Sequence, residues 1–158
     1  MKRILLDKRA SLCLLVVCFI TYSLLGFTRS AYTAAIAGIV NDGVFTKLDA
    51  GTINSSFYIT YSLAQIVGSY FVDKISPFKV ITIGLLGTVA ANVVMSLSAS
   101  FWVIFLARAA SGIAQFGIWP ALLRIVSDYV CPDYKRRAMY IMPLGITVGT
   151  ILSFFVAS

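Results

Sequence analysis

Apolar runs of about twenty residues recur along this chain, and short clusters of charge punctuate them. A helix crosses a bilayer core of about 30 Å in roughly 20 apolar residues, because each residue rises 1.5 Å. With 59% hydrophobic and 12% charged residues, such runs fit lipid far better than a water-soluble core, and the chain reads as an all-α integral membrane protein. Hydropathy and the interrupting charges place five transmembrane helices, over residues 11–40, 52–72, 79–98, 101–129 and 139–157. The first and fourth exceed the crossing length, so they are expected to tilt or to project beyond the hydrocarbon.

The net charge of +7 lies mostly beside these spans. Lys2, Arg3, Lys8 and Arg9 precede the first span, Lys74 and Lys79 separate the second from the third, and Lys135, Arg136 and Arg137 separate the fourth from the fifth. The opposite loops carry Asp42, Lys47 and Asp49 in one case and the uncharged stretch 98–100 in the other. Basic residues favour the cytoplasmic side, which puts the N-terminus inside and residue 158 outside or in the outer interface. Clusters in these positions set orientation and touch anionic lipid, so they point to the bilayer as partner and not to nucleic acid.

The basic start and the small-residue run at 34–37 also look like a signal peptide. The apolar region is longer than a signal core and further spans follow it, so an uncleaved first helix is expected. Cys13 and Cys18 fall inside the first span and Cys131 at the end of the fourth, which implies no disulfide framework. The chain has no histidine, so a metal site is not expected, and no sequence motif points to another cofactor.

The polar residues inside the spans carry the functional information. Arg29 sits in the middle of the first span, where a guanidinium costs roughly 2.5 to 3.5 kcal/mol on insertion scales and must face protein, water or a ligand. In the second span Tyr58, Tyr61, Gln65 and Gly68 recur at helical spacing with Asn54 just beyond. That face serves either helix packing through side-chain hydrogen bonds or the wall of a cavity. In the fourth span Arg108, Gly112, Gln115 and Trp119 share a face, followed by Pro120, which weakens the helix, and by Arg124 as an interfacial anchor. Arg108 lies near the outer end, where it either snorkels or joins this face. Gly145 with Gly149, and Gly84, Gly87 and Ala91, mark close contacts between helices. Every aspartate falls in a loop or interface and glutamate is absent, so no buried carboxylate pair is available for the acid–base work of an enzyme.

The stretch GSYFVDKISPFK at 68–79 resembles the signature loop between helices two and three of the major facilitator superfamily, with Ser69 at the expected glycine position, Asp73, and the basic Lys74 and Lys79. RAASG at 108–112 is similar to the arginine-and-glycine motif of the fourth helix in the same superfamily, carried here by Arg108 and Gly112. Within it the chain looks most like the organophosphate:phosphate antiporter branch and its anion-transporting relatives. FTKLDAG at 45–51 followed by Tyr61 and Asp73 resembles that branch's second-helix pattern, and QFGIWPALLR at 115–124 its fourth-helix pattern.

The resemblance implies an incomplete N-terminal six-helix half of a major facilitator fold, in a carrier working by alternating access in the bacterial inner membrane. It implies Arg29 as the residue that binds the anionic group, with Tyr22, Tyr61, Gln65, Gln115 and Trp119 lining the cavity. Gln65 stands where these phosphate-ester carriers often have lysine, and Ile146 falls near their fifth-helix histidine. A singly charged carboxylate would need fewer cations than a phosphate ester. A complete carrier has about twelve helices, so the chain is expected to be truncated and inactive alone, its counterpart a missing C-terminal half or a partner subunit. The alternative from a different class is a small helical membrane protein that binds a partner without transport, its arginines paired with acids on that partner.

Overall fold

The computed structural model describes residues 7–72 and 74–157. These form six α-helices: α1 Lys8–Asn41, α2 Lys47–Val72, α3 Pro77–Ser96, α4 Phe101–Gln115, α5 Ile118–Tyr129 and α6 Pro132–Ala157. Among the described residues, four segments are long and apolar enough to cross a membrane: Lys8–Asn41, Pro77–Ser96, Phe101–Tyr129 and Pro132–Ala157. The second expected span, α2, has 26 residues and hence the length, but Asn54, Ser55, Ser56 and Thr60 make it more polar. Its hydroxyls bond back to carbonyls of their own helix, Ser55 to Gly51 and Thr60 to Ser56, both at 2.9 Å, which lowers the cost of placing them in lipid.

Local chemistry sets the helix ends. Gly43 after α1 has φ of 69°. Its N–H donates to Val40 O at 3.1 Å while Val44 N–H donates to Ile39 O at 3.2 Å, which is the Schellman arrangement that closes a helix on a left-handed glycine. α2 begins five residues ahead of the expected 52 because Thr46 and Asp49 form a reciprocal cap. Asp49 N–H donates to Thr46 Oγ1 at 3.1 Å, and Thr46 N–H and Oγ1–H donate to Asp49 Oδ2 at 3.2 and 2.7 Å. α6 begins at Pro132 and not at 139, with proline preorganised at the first helical position. Lys135, Arg136 and Arg137 therefore lie on the first two turns of α6 and not in a loop, and Asp49, Asp128 and Asp133 lie likewise on helices.

The expected fourth span is broken. α4 ends at Gln115 and α5 starts at Ile118, so the ladder fails beside Phe116, the residue four before Pro120. A proline lacks the N–H that would bond that carbonyl and crowds it with its ring. Pro120 itself becomes the third residue of α5, where an N–H has no intrahelical partner in any case.

Cα packing divides the chain into two units, Met1–Ala31 with Trp119–Ser158, and Tyr32–Ile118. In the second unit α4 packs on both α2 and α3. Tyr32, Ile53 and Ile104 form its buried core, flanked by Ile36, Ile39, Phe45, Met95, Phe101 and Phe105. Small residues allow the approach: a Cβ on Gly112 would strike Thr60 Oγ1 and the Phe57 carbonyl, and one on Gly84 the Ala114 carbonyl. Thr60 Oγ1 also donates to Ala109 O at 2.9 Å, tying α2 to α4.

In the first unit α6 lies against α1 through glycines on both sides. A Cβ on Gly149 would overlap the Ser23 carbonyl, one on Gly145 would press on the Phe19 carbonyl, and one on Gly26 would overlap the Ile146 carbonyl. Ser30 and Thr150 share a hydrogen bond of 3.0 Å across the pair. Leu12, Val16, Ile20 and Leu24 form an exposed apolar stripe on α1, an arrangement suited to lipid and not to water.

Candidate solute site

In the first unit α1 supplies Tyr22 and Arg29, seven residues apart and so on one helix face about 10 Å apart along the axis. Tyr22 stacks on Trp119 of α5 with ring centroids 4.7 Å apart and planes inclined by 30°. Arg29 is half-buried. A planar guanidinium on the same face as an aromatic pair can hold a carboxylate or phosphate through two parallel hydrogen bonds. Arg124 pairs with Asp128 one turn on, at 3.7 Å.

In the second unit the polar face of α2 divides its tasks. Tyr61 is half-buried and stacks on Phe57, centroids 5.9 Å apart and planes 12° from parallel, and Gln65 follows it by one turn, also half-buried. Gly68 is a packing position, since a Cβ there would strike the Phe116 ring. Tyr58 is exposed. Gln115 on α4 is buried; its Nε2 donates to Ser111 Oγ at 3.2 Å, while Oε1 has no hydrogen-bond partner among the described residues.

Arg108 does not snorkel. It is 0% exposed, its Nη2 donates to Asn54 Oδ1 at 3.2 Å, and its guanidinium lies 4.7 Å from the Phe57 ring centroid and 5.1 Å from that of Tyr32. Thr33 Oγ1 donates to the same Asn54 oxygen at 3.3 Å. Cation–π contact and a shared amide oxygen together make a full burial of this charge tolerable. Sequence reading singled out Arg108 and Asn54 separately but missed Tyr32, Thr33 and Phe57. The available signal was the need of a buried guanidinium for an acceptor, which within these spans an asparagine can meet.

Of the loop motif, Asp73 and the side chain of Ser69 lie outside the described residues. Lys74 is exposed and donates to Tyr70 Oη at 2.8 Å, and Lys79 sits exposed on the first turn of α3.

The Major Facilitator Superfamily profile matches residues 18–158. The chain belongs to that superfamily. It is therefore a helical integral membrane protein of a transporter family and not an enzyme. It is 29% identical over 116 residues to the membrane sensor protein UhpC of Salmonella typhimurium, covering 73% of this chain and 26% of that protein. It is 30% identical over 111 residues to a "probable hexose phosphate transport protein" of Chlamydia trachomatis, covering 70% and 24% respectively. A "probable anion transporter 4, chloroplastic" of Oryza sativa is 27% identical over 138 residues, covering 86% and 23%. The chain thus spans about a quarter of the length of these relatives. A bacterial homologue of the human lysosomal transporter Spinster, solved inward-facing and unoccupied, superposes with a TM-score of 0.78 at 24% identity, over 93% of this chain and 31% of that one. This likeness shows that the chain shares the fold of that transporter over most of its own length.

Proposed function

We propose that this chain forms the N-terminal part of a secondary active carrier that moves a small organic anion, an organophosphate or a carboxylate, by alternating access. Arg29, midway along α1 on the face of the Tyr22–Trp119 stack, is the observation that carries this reading. Ionisable residues within spans mark substrate and ion pathways, and relatives named for hexose phosphate and anion transport support an anionic solute class. Tyr61, Gln65 and Gln115 are assigned to solute contact by the family resemblance, and Ser69, Asp73, Lys74, Lys79, Arg108 and Gly112 to its gating and helix-contact motifs. The working carrier contains further helices, since the matched segment covers only about a quarter of the relatives' length. It resides in a bacterial inner membrane with its N-terminus in the cytoplasm, as the basic residues beside the spans favour. Its resemblance to the organophosphate:phosphate antiporter branch extends this proposal to antiport.

The test is binding of glucose 6-phosphate, inorganic phosphate and gluconate to the chain in nanodiscs by titration calorimetry. Arg29→Gln is expected to weaken binding of the preferred anion by roughly 10- to 100-fold, as loss of a charge-assisted bidentate contact does. Unchanged affinity in Arg29→Gln would sink the reading. A second reading, a membrane component that recognises a partner without transport, is favoured by the sensor name of the Salmonella relative. It predicts that a pull-down of partner protein, and not anion binding, is lost in Arg29→Glu.

A further inference from the structure

The first unit carries a feature that the transport reading leaves unused. Leu12, Leu15 and Phe19 of α1 face Ala138, Ile141 and Met142 of α6 across a groove of about 380 Å³, a size within the range of roughly 300–1,000 Å³ typical of small-ligand pockets. Both walls are stripes of helical period, and they are almost wholly apolar. The exceptions are Tyr134 and Arg137, which line the groove from the first two turns of α6. Arg9, Arg136 and Arg137 are exposed at this same end of the two helices. Other basic residues here are engaged: Lys8 pairs with Asp133 at 3.0 Å and Lys135 donates to the Ser127 carbonyl at 2.6 Å. Arg137 makes no ion pair among the described residues.

We propose that this groove binds one acyl chain of an anionic phospholipid, with Arg137 holding the phosphate. The apolar walls match a hydrocarbon chain, and the residues at the helix starts carry an excess of positive charge that matches a phosphate without a compensating amine. Basic pockets between transmembrane helices at the headgroup level recognise anionic lipid in this way. A zwitterionic lipid gains less, because its ammonium is repelled by Arg137, the basic residue that lines the groove. The inference is independent of the solute carried, since none of the groove residues belongs to the proposed solute site.

The experiment reconstitutes the chain in nanodiscs of mixed phosphatidylglycerol and phosphatidylcholine and counts retained lipids by native mass spectrometry. Phosphatidylglycerol is expected to be retained in preference, and Arg137→Gln to reduce its retention about five-fold, the factor of one basic residue at a membrane surface. Val16→Trp, at an exposed position lining the groove, fills the space and is expected to displace the lipid as well, whereas Arg136→Gln, outside the groove, leaves retention nearly unchanged. Should Val16→Trp lose its helical circular dichroism, Leu12→Phe fills the same groove and carries the same expectation. Equal losses in Arg136→Gln and Arg137→Gln would mean diffuse surface attraction and overturn the site. So would undiminished retention with the groove filled, equal retention of both lipids, or cross-linking from Val16→Cys to a second protein helix seated there.

Discussion

Arg108 and Arg29 are both arginines inside apolar segments, yet their surroundings differ. Arg108 is wholly enclosed between two aromatic rings and the Asn54 amide oxygen, whereas Arg29 is half-buried. A charge with that degree of enclosure serves the fold before it serves a solute, because its desolvation is offset by fixed partners. Asn54→Leu should lower stability by about 2 kcal/mol, the scale of a hydrogen bond to a charged group, when unfolding is followed by SDS titration in mixed micelles. Asn54→Asp keeps the acceptor and should be tolerated; a leucine variant as stable as the parent would refute the role. Both residues are conspicuous in the sequence as polar interruptions. Their pairing is not, since 54 positions separate them and helical periodicity defines a face without naming what lies opposite.

At the level of the helix, glycines of identical residue type divide sharply by what surrounds them. Gly112 has no room for a Cβ beside Thr60 and the Phe57 carbonyl, while Gly51 has nothing within 4 Å. Gly112→Ala should therefore destabilise the α2–α4 contact by roughly 1–3 kcal/mol, the usual scale of overpacking. Gly51→Ala should leave stability unchanged or raise it by up to about 1 kcal/mol through helix propensity. Thermal unfolding in detergent compares the two, and equal effects would deny that packing distinguishes them. Helix starts were legible only in part. The Thr46–Asp49 cap and Pro132 both carry sequence signatures, but a hydropathy reading stops where charge begins, so it placed the starts of α2 and α6 several residues late. The break beside Phe116 follows from Pro120, whose weakening effect the sequence does announce, although the position of the break lies four residues upstream.

Across the whole molecule, the distribution of charge sets orientation. The segment before α1 and the first turns of α6 are basic, while residues 98–100 are uncharged, so the former are expected on the cytoplasmic side. A membrane-impermeant thiol reagent should label Ala99→Cys in intact cells and reach Arg136→Cys only after permeabilisation. The reverse pattern would contradict the orientation. The sequence by itself determined the class, the helical composition and the superfamily, because hydropathy, charge and motif spacing are local quantities summed along the chain. Only the tertiary structure decided that Arg108 is enclosed, that Gly68 packs where Tyr61 and Gln65 remain half-open, and that an apolar groove opens beside Arg137. Those outcomes depend on which side chains from distant positions fill the space around each group, and burial, hydrogen-bond satisfaction and free volume exist only once that space is shared.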